Sequence, residues 1–282
     1  MLEIHDLTST MVGRTVTFAV LRPDTDTESL PVMLWLHGGG GSHAFLDQCR
    51  PLFEQLWAED ALPPMVVATP DAGRSFYLDR ADGSERWEQF VLDELLPEVR
   101  RITTSATGAS ATAIGGVSMG GMGSLRMAFR RPDAFAAVAA IEPGIEPTEH
   151  WDEVLVRDRL YRDDALVRSL YGDPVDVDHF RENHPLRLVD RNGPAIVASG
   201  LAISIDCGDE DVLHLAHGAE AMHRRLFDQA ISHDFHLVRG GDHLGPTLAP
   251  RISDALRFVG RALRPAEPAV DPMLEALREL VA

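Results

Sequence analysis

The stretch Ala113-Ile114-Gly115-Gly116-Val117-Ser118-Met119-Gly120-Gly121-Met122-Gly123 places a serine at the junction of two kinds of periodicity. An apolar run of strand character ends at Val117, and a helical pattern begins at Met119. Within it, Gly116-Val117-Ser118-Met119-Gly120 is a G-x-S-x-G pattern between a strand and a helix. A tight turn there lifts the serine above the sheet, and small neighbours let the turn close. Five glycines between Gly115 and Gly123 fit that crowding. Ser118 then stands at a helix N-terminus, where unpaired amides and the helix dipole favour negative charge. It is the candidate nucleophile.

Outward from this junction, runs rich in β-branched and aliphatic residues recur at Arg14–Leu21, Val32–Leu36, Met65–Thr69, Ala136–Ile141, Ala202–Asp206 and Phe235–Val238. Helical patterns at Phe45–Ala58, Arg86–Arg101, Met119–Arg130, Asp211–Gln229 and Pro250–Leu263 alternate with them. That alternation predicts an α/β fold with a mostly parallel sheet and helices on both faces. The first two runs are joined too briefly for a crossover, so they read as an antiparallel N-terminal hairpin turning at Pro23–Pro31. Residues 1–264 read as one domain, with a helical excursion over one end of the sheet at about 144–194. Residues 265–282 read as a proline-containing spacer and a terminal helix.

A serine nucleophile needs amide donors for the oxygen that becomes negative in the tetrahedral intermediate. Leu36-His37-Gly38-Gly39-Gly40-Gly41 follows a strand and leaves amides bare, so Gly39 and Met119 are the expected donors. His37 reads as a structural residue hydrogen-bonded within its loop. The acid and base are expected after late strands, in the loops Asp206-Cys207-Gly208-Asp209-Glu210-Asp211 and Gly240-Gly241-Asp242-His243. His243 is the expected base. Among the carboxylates, spacing favours Asp211 only slightly over Asp206 and Asp209, because Asp211 opens the next helical pattern and can reach back across the sheet edge. His214 and His217 are three apart on a predicted helix and could share a metal, but no HExxH pattern accompanies them. They read as part of a solvated helix face, and neither metal nor cofactor is expected.

These pieces, together with LHGGGGSH at Leu36–His43, TPDAGRSFYLD at Thr69–Asp79, ELLPEV at Glu94–Val99, LYGD at Leu170–Asp173 and DCGDEDVL at Asp206–Leu213, resemble the esterase family that includes esterase D, S-formylglutathione hydrolases, feruloyl esterases and mycolyltransferase antigens. The resemblance implies an α/β-hydrolase fold and a Ser118–Asp211–His243 triad, with Asp211 chosen by the family's G-x-x-D element. It implies a serine carboxylesterase working through an acyl-enzyme. In the excursion, Arg157, Asp158, Arg159, Arg162, Asp163 and Asp164 follow in close succession and suit a solvated cover better than an apolar lid, which points to short-chain esters. Acyl transfer or thioester hydrolysis on the same triad, and a non-catalytic binding protein of the same fold, are the alternatives. Val117 and Met122 stand where formylglutathione hydrolases carry histidines, which weakens the thioester reading. Phe76, Tyr77 and Met122 are the expected substrate-pocket walls.

Composition sets the remaining bounds. With 26 basic and 44 acidic residues the formal charge is −18, and no local basic patch offsets it, which argues against nucleic acid as a partner. The longest nearly apolar stretch, Ile196–Ile205, is far short of the ~20 residues that span a bilayer. Two cysteines and an acidic start without signal-peptide character point to the cytoplasm. The expected partner is a small-molecule ester, with self-association left open.

Overall fold

In the computed structural model, which describes residues 1–25, 27, 29–104 and 111–264, eight strands form one sheet in the order β1-β2-β4-β3-β5-β6-β7-β8. They are β1 Leu2–Thr8, β2 Thr15–Leu21, β3 Val32–Leu36, β4 Val66–Pro70, β5 Thr112–Val117, β6 Ala137–Ile141, β7 Ala202–Gly208 and β8 Asp234–Val238. From β4 to β8 every neighbouring pair is parallel, whereas β2 runs antiparallel to both β1 and β4. The antiparallel N-terminal hairpin is therefore formed by β1 and β2. The pairing expected between Arg14–Leu21 and Val32–Leu36 is absent because β4 lies between them. Gly13, at φ +72°, closes the actual hairpin, with its amide donating to Ser9 O at 3.1 Å.

The central strands are buried on both faces, as parallel strands under helices require. Alternate residues divide between two cores. Leu34, Leu36, Ile114, Val138 and Ala140 face one core. Into that core pack the helical segment α2 Trp87–Gln89, the π-helical turn Phe90–Leu95 and α3 Leu96–Thr103, with α4 Met119–Arg130, α7 Pro185–Ser199 and α8 Leu215–Asp228. Met33, Trp35, Ala113 and Ala139 face the other, under α1 Phe45–Ala58 and α9 Leu248–Leu263. The spacer and terminal helix expected at 265–282 lie outside the described residues.

The excursion at 144–194 holds short 3₁₀ turns at Trp151–Glu153 and Val156–Arg159, α5 Asp164–Tyr171, α6 Val177–Glu182 and the first turns of α7. Its charges are partly internal. Glu146, Arg162 and His184 are fully buried, Arg162 is ion-paired with Glu146, and Asp158 is buried against His217. Leu155, Val156 and Leu160 are exposed instead. Within the charged run, ion pairing thus turns Asp158 and Arg162 inward, while Arg157, Asp163 and Asp164 stay exposed.

Candidate active site

Ser118 adopts φ +58°, ψ −116°, a region that costs a non-glycine residue energy and that marks a strained turn between β5 and α4. Backbone bonds hold it there. Ser118 N donates to Ile141 O at 2.8 Å, Met122 N donates to Ser118 O at 3.0 Å, and Gly144 N donates to the same oxygen at 3.1 Å. The turn closes because of two glycines. A Cβ on Gly116 would lie 2.3 Å from Leu36 O, and one on Gly120 would lie 2.1 Å from it. Glycine at both positions lets the nucleophile turn press against the end of β3.

The β3–α1 loop is fastened by His37, which is fully buried. Its Nε2 accepts from Ala72 N at 3.1 Å, so Nδ1 carries the proton and donates to Gly38 O at 2.7 Å. Burial lowers its pKa and keeps the ring neutral. A Cβ on Gly38 would meet Ser118 Cβ at 3.5 Å, so this loop runs beside the nucleophile. Gly39 N donates to no acceptor among the described residues. Met119 N is the first amide of α4, which helix geometry leaves without an intrahelical acceptor.

Tyr77 and Met122, expected as pocket walls, are in the core. Tyr77 accepts from His37 N at 3.0 Å and so braces the glycine loop. Phe76 is also buried, but its ring lies 6.1 Å from that of Tyr161, and a Cβ on Gly144 would lie 3.7 Å from Phe76 and 3.8 Å from the Ser118 carbonyl carbon. Phe76 and Tyr77 both adopt positive φ, and Arg126 of α4 donates to their carbonyl oxygens at 2.7 and 2.6 Å while pairing with Glu88 at 2.8 Å. The nucleophile helix thereby positions the loop opposite.

The loops after β7 and β8 bring Asp211 and His243 together, with Asp211 Oδ2 at 3.0 Å from His243 Nδ1. Leu213 N donates to the other Asp211 oxygen at 2.7 Å. The competing carboxylates are engaged elsewhere: Asp209 accepts from Gly240 N at 2.6 Å, and Asp206 accepts from Arg251 at 2.5 Å. Ser118 Oγ and His243 are not hydrogen-bonded in this structure; such contacts are often long without substrate and tighten when it binds. His214 and His217 stack at 5.9 Å, and His217 turns towards Asp158 at 3.3 Å.

One buried group escaped the sequence reading. Glu142, the residue after β6, is fully buried, adopts φ +46°, and sets Oε2 at 3.1 Å from the same His243 nitrogen. Its other oxygen is paired with Arg251. Only the β6 register, which aligns Ile141 with Val117 and Asp206, brings it to this edge. Burial depresses the His243 pKa, but hydrogen bonds and charge from Asp211 and Glu142 outweigh burial and raise it to about 9. Glu142, Asp211 and His243 also bring ligand-type atoms within 4.8 Å of one another, although Arg251 already occupies Glu142.

A sheet of this order, with a serine elbow at its carboxyl edge and an acid–base pair on the last two strand loops, is that of an α/β-hydrolase. Within that class the chain belongs to the esterase family described as "Putative esterase", whose model matches residues 9–258. Over 269 residues it is 27% identical to Esterase Rv1288 of Mycobacterium tuberculosis (strain ATCC 25618 / H37Rv), a match covering 88% of this chain and 56% of that protein. The chain thus spans about half the length of the curated relatives it matches. Among solved structures, a ferulic acid esterase superposes with a TM-score of 0.75 at 21% identity, covering 93% of this chain and 98% of that one. An S-formylglutathione hydrolase from Agrobacterium tumefaciens gives a TM-score of 0.75 at 21% identity, covering 94% and 96%. Among the described residues, no helix is long and apolar enough to cross a membrane.

Proposed function

We propose that this chain hydrolyses small carboxylic esters with short acyl groups through an acyl-enzyme on Ser118, with His243 as general base and Asp211 as its orienting acid. The observation that carries this reading is the 3.0 Å contact between Asp211 Oδ2 and His243 Nδ1 at the edge that also carries the Ser118 elbow. With Nδ1–H held by the acid, Nε2 is left as the proton acceptor. Ser118 Oγ attacks the acyl carbon as His243 takes its proton, and the C=O π pair moves onto the oxygen. The amides of Gly39 and Met119 serve as donors to that oxyanion, each contributing about 3–4 kcal/mol. Collapse expels the alcohol, protonated by His243, and water activated by the same imidazole then releases the acid.

The single unit 1–264 supplies all these groups, and the excursion at 144–194 flanks them through Gly144 and Tyr161, which stand against Phe76 of the loop after β4. Both cysteines are buried free thiols, which fits a reducing compartment. The deciding experiment is covalent labelling. A fluorophosphonate should add once, at Ser118, and Ser118→Ala should abolish turnover of p-nitrophenyl acetate by a factor of roughly 10⁴–10⁶. A label on another serine would reject the assignment. The mechanism uses no metal, so turnover should survive exhaustive chelation; loss restored by zinc would bring His214 and His217 back into consideration.

A further inference from the structure

We infer that Glu142 is a second carboxylate partner of His243, sharing the Nδ1 proton with Asp211 and setting the pH range in which the imidazole acts as a base. The inference rests on the proposed role of His243, and it deepens that role with a residue that the sequence patterns do not mark.

The geometry carries it. Glu142 Oε2 and Asp211 Oδ2 lie at 3.1 and 3.0 Å from one nitrogen; the Asp211 contact is hydrogen-bonded, and Glu142 Oε2 is a buried oxygen with no other partner that faces the same imidazole. Both side chains are fully buried, so neither carboxylate has water as an alternative partner. The backbone aims Glu142 inward at a cost, since φ +46° lies in the left-handed region that non-glycine residues avoid. Two bonds hold that conformation: Glu142 N donates to Asp206 O at 2.7 Å, and the preceding residue's oxygen, Ile141 O, accepts from Ser118 N at 2.8 Å. The strained residue is thus built into the frame of the nucleophile.

Charged and titratable groups face Glu142 from every element packed around it. Arg251 of α9 pairs with Glu142 and Asp206 together and donates to Asp242 O at 3.3 Å. From β7, Asp206 and Cys207 face the cluster, with His236 of β8 behind Asp206, and burial raises the Cys207 pKa and keeps it a neutral thiol. From the excursion, Tyr161 faces Asp211, and burial raises its pKa as well. On the histidine's own loop, Asp242 accepts from His243 N at 2.6 Å. Three buried carboxylates thus oppose one guanidinium and one imidazole, an imbalance that favours the imidazolium. Asp211 alone would complete an ordinary triad; a second acceptor holds the proton more tightly and displaces the active range to higher pH.

The test is a pH–rate profile on the full chain with p-nitrophenyl acetate. In the parent protein, kcat/KM should rise about tenfold per unit towards a plateau near pH 9, because only roughly one imidazole in a hundred is a free base at pH 7. Glu142→Gln should move that limb down by at least about one unit, which is an equilibrium that a purely structural ion pair with Arg251 would leave alone. Asp211→Asn should lose only about 10²-fold, because Glu142 takes over as acceptor from Nδ1, while Asp211→Asn combined with Glu142→Gln should lose about 10⁴-fold. An unmoved limb, or an Asp211→Asn loss that already reaches about 10⁴, overturns the inference. If Glu142→Gln does not fold, the size of the Asp211→Asn loss decides alone. Ser118→Ala and His243→Ala separate the two readings: activity retained in either rejects the catalytic assignment itself, whatever Glu142 does.

Discussion

Gly208 and Gly241 pack backbone against backbone, so closely that a Cβ on Gly208 would lie 2.1 Å from Gly241 O. One glycine ends β7 and the other precedes His243 by two residues, so their contact sets the distance between the loops carrying the acid and the base. Glu210 N donates to Gly241 O at 2.9 Å and Asp209 N to Val238 O at 3.1 Å, which fixes the same pair of loops. Gly208→Ala must push them apart, because the obstructing atoms are backbone and cannot rotate away. A displacement of about 1 Å at such a site costs about 10²-fold in rate, so kcat should fall by that order. Gly240→Ala is the control. It sits at φ +69° with open space around it, so it should cost about 1 kcal/mol of stability and little activity. Denaturant unfolding and initial rates on both variants check the contrast.

Arg251 pairs with Glu142 and Asp206 together, and its guanidinium bridges the two. Arg251→Met leaves Asp206 without its counter-charge and Glu142 with His243 alone, a loss of roughly 3–5 kcal/mol by analogy with broken buried ion pairs. The midpoint of urea unfolding should fall accordingly at pH 7, and the loss should shrink at acidic pH, where the orphaned carboxylates can be protonated. A loss that is the same at pH 5 and pH 8 would show that Arg251 acts through packing rather than charge.

Two histidines predict a maximum in stability near pH 6.5. His243 is raised to about 9 in the folded state, so the folded chain holds more protons than the unfolded chain between 6.5 and 9. Stability from that group is complete below pH 6.5 and is lost as pH rises to 9, by roughly 3 kcal/mol. His184 behaves oppositely. Burial, reinforced by the charges of Arg162, Arg225 and Arg126 and opposed by Glu149, pushes it down to about 3. Its Nε2 stands 3.6 Å from a Glu146 carboxylate that Arg162 already holds, so the ring remains neutral. Below pH 6.5 the unfolded chain gains this proton more readily, and stability falls towards pH 3. Melting temperature followed from pH 4 to pH 9.5 should therefore fall on both sides. Substituting His243 by Gln should flatten the alkaline side only.

Much of this architecture was legible in the residues because periodicity and turn chemistry report directly on backbone. Phe45–Ala58 and Met119–Arg130 coincide with α1 and α4 to the residue, and the glycines around Ser118 announced a close approach that Leu36 O then makes. What was missed depends on partners distant in sequence. Leu2–Thr8 is a half-exposed edge strand whose pattern is interrupted by Asp6, so only its ladder with β2 identifies it. The long helix α7 begins at Pro185 and contains Pro194, and internal proline reads as an interruption until its neighbours pack around it. Glu142 looks like any acid following a strand. Its meaning arises from φ +46° and from Arg251, a hundred and nine residues later.

The proposed preference for short acyl groups rests on the residues that stand beside Ser118. Phe76 packs on Tyr161, whose hydroxyl donates to Gly144 O at 3.0 Å, and Arg162 lies 5.0 Å over the Phe76 ring. Cavities of about 530, 620, 560 and 500 Å³ lie elsewhere, the first between β8 and α9 behind Arg251. On that proposal a short acyl chain is expected to contact this wall, and a long one to run outward past Val212 and Leu244, which are exposed and adjoin Asp211 and His243 in sequence. Each methylene that becomes buried contributes up to about 0.8 kcal/mol, or roughly fourfold in kcat/KM. Across p-nitrophenyl acetate, butyrate, octanoate and palmitate, kcat/KM should rise to butyrate and then level or fall. Phe76→Ala should extend the rise to octanoate by opening the wall, while leaving fluorophosphonate labelling of Ser118 intact. A value that climbs through palmitate in the parent protein would reject the short-chain reading. It would then assign the exposed Leu155, Val156 and Leu160 to an acyl-binding surface on the excursion.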